Sequence, residues 1–172
     1  MNTAEKESDD DRRISIICFS LTGKETAQKL KEGLEKCGYH TELYKKSRYL
    51  EDSIAESTAD WTAEHFHRED GLIFVGACGI AVRSIAPQVA SKTSDPAVLV
   101  VDECGQFVIS LLSGHLGGAN ELSLKAAQIL GAQPVVTTAT DLHKRFAVDV
   151  FSRKNDCEIL FKKAAKEVSA AL

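Results

Sequence analysis

Six short strand-like runs, most of them apolar, alternate with helix-patterned segments. This alternation narrows the fold more than any other feature of the chain. Residues 14–19, 72–75, 97–101 and 107–112 are mostly apolar and carry β-branched side chains, 135–137 is a shorter run of the same kind, and 41–44 is read as a second strand although Glu42 interrupts it. Unbroken apolar stretches of this length are the pattern of strands buried on both faces. Between them, Ala27, Leu30, Leu34 and Cys37 form one helical stripe, and Trp61 and His65 stand at i and i+4 within a predicted helix over 58–67. Helices are also predicted over 80–85 and 120–130. Gly38 and Gly131 stand where a left-handed residue commonly ends a helix. Thr22 and Gly23 are expected to break the first strand before its helix begins. Strands alternating with helices predict an open α/β sheet flanked by helices. The connection at 102–105 reads as a hairpin, which makes that sheet mixed, though mostly parallel. The run at 72–75 is expected at its centre.

A length of 172 residues suits one domain or two small lobes. Residues 1–12 are nearly all polar and are expected to form a disordered leader. Residues 13–150 form the α/β domain, and the polar, poorly patterned stretch 45–56 is where two lobes would divide. Residues 151–172, strand-like at 157–161, read as the truncated start of a following region. The net charge of −4 argues against a nucleic-acid partner. The five cysteines are widely spaced, with no C-x-x-C pair, so neither a zinc knuckle nor a disulfide framework is expected. Reduced thiols, a polar N-terminus and no apolar run near the roughly 20 residues of a membrane helix point to a cytoplasmic chain without a membrane partner.

Candidate chemistry sits on glycine-rich turns at strand ends. Residues 21–25 resemble the end of a phosphate-binding loop, but Cys18 and Glu25 occupy positions where that motif needs glycine and a hydroxyl. Gly76 and Gly79 flank a strand-to-helix turn at which ligands of open sheets gather, and Arg83 could pair with a carboxylate there. The strongest local signal is the run from Ser113 to Glu121, SGHLGGANE, with three glycines in five residues. Such a density of glycine is kept for geometry, because it weakens any regular element. Ser113, His115, Asn120 and Glu121 lie within reach of this turn, and histidine is the side chain that titrates near neutrality. Thr137 and Thr138 follow another strand end. There is no G-x-S-x-G elbow and no H-E-x-x-H, and His65-x-His67 is too sparse for a metal site.

From Gly76 to Asp149, the segments GIAVRSIAP (79–87), SKTSDPAVLVVDECGQFVISLLSGHLGGANELS (91–123) and GAQPVVTTATD (131–141) resemble the CbiG family. These are the cobalt-precorrin-5A hydrolases of anaerobic cobalamin biosynthesis. The resemblance implies water-driven opening of a lactone on a cobalt tetrapyrrole, with release of acetaldehyde. It implies no cofactor of the protein's own and no protein metal site, since cobalt arrives within the substrate. Placed on matching positions, His115 would be the general base, with Asp102 or Glu121 orienting it. Gly117 and Gly118 amides would meet the oxyanion. Gly76, Gly79, Arg83, Lys92, Ser113, Gly114, Asn120, Thr137 and Thr138 would hold the substrate and its acetate and propionate arms. Family members usually continue into a carboxy-terminal domain. A separate domain of that kind, or a neighbouring pathway enzyme, is therefore an expected partner, and the alternative reading is a non-catalytic tetrapyrrole-binding or partner-binding part of a split enzyme.

Overall fold

The computed structural model describes residues 12–138. Of the leader expected over 1–12 only Arg12 is described, and the strand-like run 157–161 and the region 151–172 lie outside these residues. In chain order the elements are β1 (Arg13–Cys18), α1 (Leu21–Lys36), β2 (His40–Lys45), α2 (Thr58–His65), β3 (Gly71–Val75), α3 (Cys78–Ile85), β4 (Ala97–Val101), β5 (Phe107–Leu112), α4 (Ala119–Leu130) and β6 (Gln133–Val135). They build one six-stranded sheet in the order β2-β1-β3-β4-β5-β6. β1 to β4 run parallel, β5 returns antiparallel to β4, and β6 is parallel to β5. The fold is an open, mostly parallel α/β sheet flanked by helices. No lobe boundary exists near 45–56, because β2 on one side of that loop pairs with β1, which pairs with β3 on the other. The loop itself is tied down by Lys46 Nζ, which donates to the Ile54 and Ala55 carbonyls, and by Leu50 in the core.

The two faces of the sheet are covered separately. Ile14, Ile16, Ile73, Leu99 and Val101 pack against Ala27, Leu30 and Leu34 of α1 and Leu122 and Ala126 of α4. Ile17, Leu72, Phe74, Val98 and Val100 meet Trp61 and Phe66 at α2 and Ala81 and Ile85 of α3. Each central strand thus buries alternate residues on opposite faces, which is why its sequence reads as unbroken apolar. α1 begins earlier than expected. Ser20 is its cap, with its hydroxyl accepting from Gly23 N–H at 3.0 Å, so Thr22 and Gly23 lie in the first helical turn. β6 begins two residues earlier than expected, where Gln133 N–H donates to Gln106 O beside β5.

Candidate functional site

Direction decides where the glycine-rich turn lies. Leu112, at the end of β5, pairs with Val98 near the start of β4, and Val108 pairs with Val101 at its end. The turn 113–118 therefore sits at the amino end of the parallel strands. Its own backbone closes it: Ala119 N–H donates to Ser113 O (3.1 Å), Asn120 N–H to Gly114 O (3.0 Å) and Gly118 N–H to His115 O (3.0 Å). Gly118 caps α4 at φ +79, a left-handed conformation that suits glycine. Gly117 is set by space, since a Cβ there would lie 2.4 Å from Ser113 Cβ, 2.9 Å from Ser113 O and 3.1 Å from Asp95 O.

Asn120 locks the turn to its neighbours. Its Oδ1 accepts from Ser110 Oγ at 2.7 Å, its Nδ2 donates to Thr138 Oγ1 at 3.0 Å, and its amide packs on Gly114. Below the turn, buried Asp95 accepts from the Ala90 and Ser91 amides at 3.0–3.3 Å and so shapes the loop that carries Lys92. Lys92, Ser113, Gly114, His115, Leu116 and Thr138 line one pocket of about 250 Å³. A lysine, a histidine and two hydroxyl-bearing residues thus line a single space, a combination suited to a carboxylate or carbonyl oxygen. Glu121 is exposed in the first turn of α4, at this same end of the sheet, and Thr137 is exposed beside Thr138.

Several expected partners lie elsewhere. Asp102 follows β4 at the opposite rim, with β4 itself between it and the turn, about 16 Å of strand. Its carboxylate accepts from the amides of Cys104 (3.1 Å), Gln106 (2.8 Å) and Phe107 (2.5 Å), organising the hairpin, so it cannot orient His115. Gly76, Gly79 and Arg83 stand at that same far rim after β3, where Arg83 Nη1 donates to Gly79 O at 3.1 Å and Gly76 packs against the Phe19 ring. They cannot share a pocket with the 113–118 turn. The Gly118 amide is also spent on His115 O, so it does not serve an oxyanion. Asn120 holds the fold rather than facing the pocket. Asp95 and Ser110, which support the site, carried no motif; the only sequence signal was the Ser94-Asp95-Pro96 turn ahead of a strand.

The other sequence features are structural. The N-terminus of α1 receives a carboxylate from the protein itself, as Ser20 Oγ donates to Glu103 Oε2 at 2.6 Å and Thr26 Oγ1 to Glu103 O at 2.7 Å. His65 is buried, stacked on Trp61, with Nδ1 donating to Trp61 O at 2.8 Å and Nε2 3.1 Å from Tyr44 Oη. Burial first, then the hydrogen bond to Glu42, pushes the Tyr44 phenol above its ordinary range. Among the described residues no cluster of three or more His, Cys, Asp or Glu side chains could hold a metal ion, and no helix is long and apolar enough to cross a membrane.

Residues 60–141 match the family model described as cobalamin synthesis G N-terminal. The cobalt-precorrin-5A hydrolase of Salmonella typhimurium strain LT2 is 42% identical over 152 residues, covering 88% of this chain and 41% of that protein. The protein of that name from Priestia megaterium is 37% identical over 144 residues, covering 81% and 38%. A crystal structure of a cobalamin biosynthesis protein G homolog from Sulfolobus solfataricus superposes with a TM-score of 0.61 at 25% identity, over 94% of this chain and 46% of that one. The chain spans about two fifths of the length of the curated relatives it matches.

Proposed function

The chain belongs to the cobalamin synthesis G family through its amino-terminal region, and from that premise we propose that it supplies the lactone-handling site of a cytoplasmic cobalt-precorrin-5A hydrolase. The observation that carries this reading is the convergence of His115, Lys92, Ser113 and Thr138 on one pocket within the matched region. In the reaction water adds to the lactone carbonyl and the ring C–O bond breaks, leaving a carboxylic acid and an alcohol on the bridging carbon. The carbon–carbon bond from that carbon to the macrocycle then breaks, its electron pair stays on the macrocycle, the alcohol proton is lost, and the carbon leaves with its methyl group as acetaldehyde, giving cobalt-precorrin-5B. His115 accepts the proton of the attacking water. Lys92 supplies positive charge for a substrate carboxylate or the developing oxyanion, a role that the committed Gly118 amide leaves open. Glu121 is the nominated carboxylate at His115's end of the sheet. Cobalt travels in the macrocycle as part of the substrate, and no cofactor of the protein's own enters the reaction.

The open form of the sheet favours a second reading, in which this region binds the tetrapyrrole and a carboxy-terminal domain or pathway partner completes the enzyme. One open α/β layer does not enclose a macrocycle, and water attack needs a positioned substrate in an enclosed site. The expected result is that the chain alone binds the cobalt-tetrapyrrole lactone but releases little trapped acetaldehyde, and that adding the carboxy-terminal region of a relative restores release. On that background His115→Ala lowers the rate by about 10²–10⁴-fold with binding nearly intact. Full turnover by the isolated chain would remove the need for a partner, and an unchanged rate in His115→Ala would remove the histidine from the mechanism.

A further inference from the structure

We propose that Ser113 is a ligand-binding residue kept at the expense of the fold: its hydroxyl donates to a carboxylate arm of the ligand in the pocket beneath the 113–118 turn. The inference rests on the proposed site but not on the hydrolytic chemistry.

Two features at this position disfavour serine in the unliganded protein. Its φ is +58, in the left-handed region where a Cβ crowds the following carbonyl and where glycine sits freely. Within the same turn the other residue at positive φ, position 118, is a glycine. Ser113 Oγ is also shielded from solvent and has no hydrogen-bond partner, a state that buried hydroxyls avoid. Nor does packing call for the side chain. Its Cβ stands 2.4 Å from where a Cβ on residue 117 would be, so Ser113 is part of what restricts position 117 to glycine. The useful hydrogen bond of Ser113, from Ala119 N–H to its carbonyl, would survive any substitution. Penalties of backbone and burial gathered in one residue beside a pocket point to a group held for a ligand.

The chemistry of the ligand follows from what shares the space. Lys92 supplies charge, Thr138 a second hydroxyl and His115 an imidazole. The Asp95 carboxylate nearby is buried and occupied by the Ala90 and Ser91 amides. A lysine beside hydroxyl donors selects a carboxylate. At about 250 Å³ the pocket lies below the roughly 300–1,000 Å³ of sites that engulf a drug-sized ligand. It therefore takes one acetate- or propionate-sized arm and leaves any macrocycle outside, over the turn.

The test uses the full 172-residue chain with Ser113→Gly and Ser113→Ala. Thermal melts are compared, and citrate and cobyrinic acid, a cobalt corrin with free carboxylates, are titrated while the amide NMR signals of residues 114–118 are followed. Ser113→Gly is expected to raise Tm by about 2–4 °C, because it relieves both penalties. Ser113→Ala keeps the Cβ and loses only the hydroxyl, so it should melt at or above the parent. Both variants should weaken carboxylate binding about tenfold or more. A fall in Tm for either variant, failure of Ser113→Gly to fold, unchanged binding in Ser113→Ala, or no response of the parent to either carboxylate would each overturn the proposal. If citrate binds through Ser113 and the corrin does not, Ser113 stands and the hydrolase reading falls. If the corrin binds equally to all three chains, the hydrolase reading stands and Ser113 falls.

Discussion

Replacing Gly117 with alanine adds a single methyl group to a place that has no room for it. The new Cβ would meet Ser113 Cβ at 2.4 Å, Ser113 O at 2.9 Å and Asp95 O at 3.1 Å. Two of these three atoms are backbone carbonyl oxygens, so no side-chain rotation relieves the contact. Ser113 O holds Ala119 N–H at the start of α4, and Asp95 is fixed just before β4 by its own hydrogen bonds. Overpacking of this kind costs about 1–3 kcal/mol, and distortion of the Ser113–Ala119 bond adds about 1 kcal/mol. The total of roughly 2–4 kcal/mol corresponds to a fall in Tm of about 4–15 °C for a domain of this size. Gly131→Ala is the control: at φ +74 with nothing within 4 Å of a new Cβ, it carries only left-handed strain, about 1–2 kcal/mol. Urea unfolding followed by circular dichroism measures both, with an unchanged m-value as the sign that only stability has moved. Combining Gly117→Ala with Ser113→Gly should recover part of the loss, because one of the three contacts disappears while the two carbonyls remain. A Gly117→Ala chain within about 0.5 kcal/mol of the parent, the scatter of ordinary surface changes, would refute the claim that the turn is sterically closed.

Asn120→Ala should destabilise the chain by about 1–3 kcal/mol, since it strands Ser110 Oγ and releases Thr138; urea midpoints check this, and a neutral result would mean that the turn is not clamped from α4. Burial raises the Cys18 thiol above its ordinary value, which holds its thiolate fraction down, and burial also keeps reagent from it, whereas Cys37 and Cys104 are exposed. Iodoacetamide near pH 8.5 should therefore label Cys37 and Cys104 at least tenfold faster than Cys18, as read by peptide mass mapping, and equal rates would contradict the buried position.

The strands were legible because each central one buries both faces, so 72–75 and 97–101 announce themselves without any periodicity. Helix ends were less legible. Thr22 and Gly23 look like strand breakers until Ser20 is seen to cap α1, and the capping hydrogen bond depends on the chain direction after β1 rather than on residue type. The loop 45–56 looked like a lobe boundary because its anchors, Leu50 and Lys46, act singly and leave no pattern. Within the site, the glycines of the 113–118 turn were visible, as were His115 and Lys92. Asp95 and Ser110 were not, because they work through backbone amides and through Asn120 and so belong to no spacing rule.

The misplacement of Asp102 beside His115 has a different origin, since the information needed to avoid it was in the sequence. A hairpin at 102–105 reverses the chain, and the six residues of β5 then carry it back along the full height of the sheet. Asp102 and Ser113 must consequently lie at opposite rims. The general tendency of open sheets to collect ligands at the carboxyl ends of parallel strands points to the rim of Gly76, Gly79 and Arg83. At that rim, however, the N-terminus of α1 is already answered by Glu103 from the hairpin tip. The reversed strand delivers a second strand–turn–helix connection to the other rim, where Lys92 and His115 line one pocket with Thr138, three residues after β6. Reversal of one strand thus moves the glycine-rich turn away from the rim that the parallel strands would favour, to the rim where Lys92 and Thr138 share its pocket.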